Sequence, residues 1–219
     1  MTGQTHIAPS ETALLSGEVR PLLTQLGTAE DLAAPALASS ALQLAQVRSV
    51  PALRMFLQTY QAGLLTPLEL PAIQRAYDCA QRHEVRELMA LDQQLAAEPK
   101  LREFAAASCR VGQRQIHRLR PLRDHRLVQR YLAAVDSGEA RGWHTLVYGI
   151  TLAVFSLPLR QGLVNYAQQT LGGFIAGAAP PLALTDGQCG ELHAQACAAV
   201  PAAVQRLLAP NGHTLLRRV

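Results

Sequence analysis

Between Trp143 and Gln188 the chain has only two charged residues, Arg160 and Asp186, and two apolar runs with glycines set among bulky side chains. A stretch of this kind is not stable in water, because each buried Å² of apolar surface is worth roughly 25 cal/mol. It must lie in a core or against a partner. The first run, Leu146–Leu157, falls short of the roughly 20 residues that a membrane span needs, and Pro158 separates it from the second. No acid, base or nucleophile is arranged within it for catalysis. The chain nowhere alternates apolar and polar residues as a half-buried strand would, so this apolar block implies helices packed on helices.

The rest of the sequence agrees. Hydrophobic residues make up 49% and aromatics only 5%, so the core is mainly Leu, Ala and Val, which suits close helix packing. Charged residues are 16%, against roughly 25% in ordinary globular chains, which implies extensive burial, a covered surface, or both. Lys100 is the only lysine; the remaining basic charge is arginine, which tolerates interfaces better. Arginines are densest from Arg110 to Arg130, through Arg114, Arg118, Arg120, Arg123 and Arg126. No recognised nucleic-acid motif accompanies them, so they read as a solvated helix face or a patch for an acidic protein, with neither nucleic acid nor membrane as partner. The N-terminus lacks a basic segment followed by a long apolar core, so a cytoplasmic protein is expected.

Helical spacing and punctuation predict an all-α, single-domain bundle of about eight to ten helices. Residues 1–10 read as a flexible tail, and 11–48 as weak helical patterns broken by Gly17, Pro21, Gly27 and Pro35. Ser49 and Pro51 mark a helix start, with Leu53, Phe56, Leu57 and Tyr60 on its apolar face and Gly63 near its end. Thr66-Pro67-Leu68-Glu69 has a capping-box pattern that begins a helix to about Cys79. Further helices are predicted at about Glu84–Ala97, Lys100–Leu119, Asp124–Val135, Arg141–Ser156, Pro158–Ala178 and Thr185–Leu208, with Pro180-Pro181 separating the last two.

Candidate chemistry is sparse. Cys189, His193 and Cys197 lie at i, i+4 and i+8 on one predicted helix, and Cys79 and His83 repeat the spacing. Neighbours in such a stripe could share a soft metal ion, but a closed site draws four ligands from more than one element. Ordinary packing is the alternative, since free cysteine is among the most buried residue types. With no CxxC, a disulfide framework is not expected. There is no phosphate-binding GxxxxGK[ST] loop and no GxSxG. Glu84, Glu87 and Asp92 read as an ordinary polar helix face. A conventional enzyme is disfavoured, no cofactor is implied, and Gly172, Gly173 and Gly177 read as close helix contacts.

Several short motifs in one order then point to a family. His144-Thr145-Leu146-Val147-Tyr148-Gly149 is a histidine-led helix start followed by an aromatic and glycine. Leu157-Pro158-Leu159 opens the next helix, which carries Asn165-Tyr166 and small residues to Gly177. Thr185-Asp186-Gly187-Gln188 starts the one after, and upstream stand Arg102-Glu103-Phe104, Ser108, Gly112 and Arg114. In this order and spacing the chain resembles the UreF family of urease accessory proteins, over roughly residues 49–208. The N-terminal region departs from the family pattern: Ala34-Pro35-Ala36-Leu37-Ala38-Ser39-Ser40-Ala41-Leu42-Gln43 lacks the expected glycines, and the C-terminal tail is short.

The resemblance implies a divergent N-terminal segment (1–48), an all-helical UreF-like domain (49–208) and a short tail (209–219). It implies a non-enzymatic scaffold that forms a homodimer and whose partners are the other accessory proteins, a GTPase and a UreD/UreH-type subunit, with apo-urease as the nickel-receiving client. Residues implied at packing or partner interfaces are Ser108, Gly112, Arg114, His144, Tyr148, Gly149, Tyr166, Gly173 and Gln188. Two other readings stay open: a metal-binding helical protein using Cys189, His193 and Cys197, and a helical regulator with an arginine-rich binding face.

Overall fold

The computed structural model describes residues 47–209, which are mainly helical with no strand among them. Expectations for residues 1–46 and 210–219 lie outside the described residues. Helix α1 (Val50–Tyr60) starts as predicted: the Ser49 hydroxyl accepts from the Ala52 N–H at 3.3 Å, and Pro51 occupies the first turn, where no N–H is needed.

The predicted break between Gly63 and Thr66 does not occur. The chain continues through a π-helical segment (Gln61–Glu69) into α2 (Leu70–Gln81). Pro67 lies inside this segment and has no N–H to give the Gly63 carbonyl, so the ordinary α-helical bond is lost there. Glu69 does not act as a capping-box acid. Its carboxylate accepts from the Tyr60 hydroxyl at 3.0 and 2.9 Å, joining the two ends of the π segment.

Helix α3 (Val85–Ala97) is followed by a 3₁₀ turn (Pro99–Phe104), so the predicted Lys100–Leu119 helix begins in tighter form before α4 (Ala105–Arg118). Helix α5 (Arg126–Ser137) ends on Gly138, whose φ of 80° closes the last turn. Then come α6 (His144–Val154) and α7 (Leu159–Leu182). Pro180 and Pro181 lie within the last turn of α7 instead of ending it. They withhold N–H donors from the carbonyls of Ala176 and Gly177, but both residues are exposed and water can serve them. The predicted Thr185–Leu208 helix divides into α8 (Asp186–Cys197) and α9 (Val200–Leu208), because Pro201 cannot donate to the Cys197 carbonyl.

Helix α6 is the centre of the bundle. Every residue from Gly142 to Leu152 is buried, and a helix apolar on all sides belongs in the interior. Its most extensive pairing is with α2, then with α4, and it also touches α7. Helices α8 and α9 pack on α7. The apolar block that stood out in the sequence is thus the core helix and its neighbour. Among the described residues no helix is long and apolar enough to cross a membrane.

Candidate functional site

The polar groups of this molecule gather where α6 begins. The first N–H groups of a helix have no partner within it. At α6 they are met from elsewhere in the chain: the Ser108 hydroxyl on α4 accepts from the His144 N–H at 3.2 Å. Just upstream, the Asp92 carboxylate on α3 accepts from the N–H groups of Arg141 and Gly142 at 2.8 and 3.0 Å and from the Tyr131 hydroxyl at 2.7 Å. Gln113 donates to the Arg141 carbonyl at 3.0 Å. Asp92 is only 1% exposed, so it is a core anchor and not part of a polar helix face as the spacing suggested.

Two glycines set the crossings. A Cβ at Gly112 would lie 2.0 Å from the Gly142 carbonyl oxygen, and one at Gly149 would lie 2.4 Å from the Ile73 carbonyl oxygen. The first fixes α4 against the start of α6, the second fixes α2 against its middle.

On the other side of α6 the rings of His144, Tyr148 and Tyr166 form a cluster with centroids 5.3 to 6.0 Å apart. The Tyr148 hydroxyl donates to the Gly162 carbonyl at 3.1 Å and accepts from Asn165 at 3.3 Å, which ties α6 to α7. Burial pushes His144 down from its ordinary 6.5 to about 4, so the ring is neutral at pH 7. Burial pushes Glu69 up from 4.5 to about 7, while hydrogen bonding from Tyr60 and Tyr166 pulls the other way.

These two shifts act in opposite directions on stability. The folded protein holds a proton on Glu69 at pH values where the unfolded chain does not, so this contribution is full below about 4.5 and lost as pH rises through about 7. The folded protein keeps His144 neutral, so its contribution is full above about 6.5 and lost as pH falls toward about 4. Glu69→Gln removes the first slope and leaves the second. Urea unfolding between pH 4.5 and 6.5 is expected to show the variant losing on the order of 2 kcal/mol more than the parent on acidification. Parallel profiles would rule out Glu69 as the opposing group.

Of the residues singled out from the sequence, Ser108, Gly112, His144, Tyr148, Gly149 and Tyr166 are buried within this one chain and serve its packing. Gly173 is half-buried, while Arg114 and Gln188 are exposed. Thr185 and Gln188 form a reciprocal capping box at the start of α8, with the Thr185 N–H donating to Gln188 Oε1 at 2.9 Å. The seven arginines from Arg110 to Arg130 are all exposed along α4, the following turn and α5. Asp136 pairs with Arg120 at 3.0 Å and with His117 at 2.8 Å, but exposed pairs of this kind contribute little.

Within the cysteine stripe the structure brings Cys197 and His193 together. Cys197 Sγ lies 3.4 Å from His193 Nε2, and that nitrogen is also 3.0 Å from the Gln168 carbonyl oxygen. Burial pushes the Cys197 thiol up to about 11, against the thiolate form that binds metal. Among the described residues no three His, Cys, Asp or Glu side chains are grouped so as to hold an ion. Sequence reasoning missed Asp92 and the Tyr60–Glu69 pair; a carboxylate at a core-facing position was the available signal for Asp92.

The described residues therefore define an all-α scaffold, whose polar side chains fasten helices to one another. The UreF family model matches residues 47–188, and the chain belongs to that family. It is 26% identical over 115 residues to the protein described as urease accessory protein UreF of Actinobacillus pleuropneumoniae, an alignment covering 52% of this chain and 51% of that one. The chain spans about half the length of this curated relative.

Proposed function

We propose that this chain is a urease accessory protein acting as a non-enzymatic scaffold in the cytoplasm. It bridges a GTPase and a UreD/UreH-type accessory protein while nickel is delivered to apo-urease, and it works as a homodimer. The observation that carries this reading is the family match over 47–188, which spans α6 and the helices that fasten it. A rigid bundle held by backbone-to-backbone crossings at Gly112 and Gly149 suits a part whose work is to hold partners in register. The exposed arginines from Arg110 to Arg130 suit an acidic partner surface, because guanidinium groups pair with carboxylates in a bidentate fork. Arg114 and Gln188, both exposed, and the half-buried Gly173 are the positions offered for contact. Co-purification with the GTPase, the second accessory subunit and apo-urease tests the reading. Co-elution that depends on the guanine nucleotide supports it; a folded chain that elutes alone under every nucleotide condition overturns it.

A further inference from the structure

A small cavity lies where the π segment, α4, α6 and α7 meet. Glu69, Ser108, Trp143, Thr145, Tyr166 and Thr170 contribute to its wall, and its volume is about 20 Å³. That exceeds the roughly 10–15 Å³ needed to seat one water molecule and leaves no room for an organic ligand. Trp143 and Thr145 are 2% and 6% exposed, and neither Trp143 Nε1 nor Thr145 Oγ1 has a protein hydrogen-bond partner. Thr170 Oγ1 is a third such atom, although it stands beside the Tyr166 hydroxyl. Buried polar atoms are rarely left unpaired, since each costs about 1–3 kcal/mol.

The chemistry of the wall selects the occupant. Trp143 Nε1–H can only donate, so the occupant must accept, which a bare metal cation cannot do. The Glu69 carboxyl accepts when ionised and can also donate when protonated; a water molecule answers both forms, whereas a simple anion cannot donate to the ionised one. Ser108 and the two threonines can do either. We propose that this cavity is a binding site for one ordered water molecule, which accepts from Trp143 Nε1–H and donates toward Glu69, with the Thr145 hydroxyl as a further partner. Such a water links the π segment, through Glu69, to the start of α6, through Trp143 and Thr145.

Two measurements on the full chain test it. A crystal structure at a resolution that shows waters is expected to place one within hydrogen-bond distance of Trp143 Nε1 and the Glu69 carboxyl. Thr145→Val keeps the shape and removes the hydroxyl. If the hydroxyl serves a bound water, the variant's urea midpoint falls; if the hydroxyl is simply unpaired, the midpoint rises. Density for the water together with a lowered midpoint establishes the site. A cavity without density, or a raised midpoint, overturns it. Trp143→Phe provides the second variant: the site predicts loss of the ordered water from its structure, and a water retained in the same place would count against the assigned donor.

Discussion

Gly112→Ala is expected to destabilise the protein by about 3 kcal/mol or more, against the usual sign for this change in a helix. In an exposed helix interior, glycine to alanine gains about 1 kcal/mol, because alanine has the better helix propensity. At Gly112 the new Cβ would sit 2.0 Å from the Gly142 carbonyl oxygen, 2.7 Å from the His144 nitrogen and 2.8 Å from the Trp143 carbonyl carbon. All three are backbone atoms, so no side chain can swing aside and the start of α6 must move. Gly149→Ala meets the backbone of α2 in the same way, at 2.4 Å from the Ile73 oxygen. Gly190 on α8 is the control: a Cβ there meets nothing within 4 Å, so Gly190→Ala is expected to stabilise by about 0.5–1 kcal/mol. Urea unfolding of the three variants checks the account. A neutral or stabilising Gly112→Ala would mean that the α4–α6 crossing is looser than described.

Asp92→Ala is the second large effect, a loss of about 4 kcal/mol. The substitution strands the Tyr131 hydroxyl and the N–H groups of Arg141 and Gly142, all of which now donate to one buried carboxylate. Asp92→Asn keeps one oxygen but turns an NH₂ toward donors, so it should fall between parent and Ala. Tyr131→Phe removes a single bond and is expected to cost about 1 kcal/mol. This ordering, Ala worse than Asn worse than Tyr131→Phe, distinguishes an anchor for the start of α6 from a carboxylate that merely fills space. Equal effects for Asn and parent would argue against the anchor.

The helical architecture was legible because its punctuation is local. Ser49 with Pro51, and Thr185 with Gln188, act as caps where the pattern placed them. The apolar block around α6 announced a buried helix, since it holds no charged side chain from Trp143 to Leu159. Other features depend on distant neighbours. Thr66-Pro67-Leu68-Glu69 has the letters of a capping box, but Tyr60 takes up the Glu69 carboxylate and the helix runs on in π form. Three turns close on residues in the left-handed region that are not glycine, namely His83, Ser156 and Ala183, so the usual glycine stop signal is missing there. Asp92 looked like one of several surface acids because its partners stand 39 to 50 residues away along the chain. The same limit explains the interface candidates. Ser108, His144 and Tyr166 belong to the short motifs on which the resemblance rests, and their side chains are buried within the chain.

Under the proposed function, this chain serves nickel insertion into urease. The most direct test is the nickel content of urease purified from cells that carry the cognate accessory set, with and without this chain. The account predicts urease protein at equal abundance in both, nickel-loaded and active with the chain, and largely nickel-free without it. Urease that is equally loaded with nickel in its absence would contradict the account.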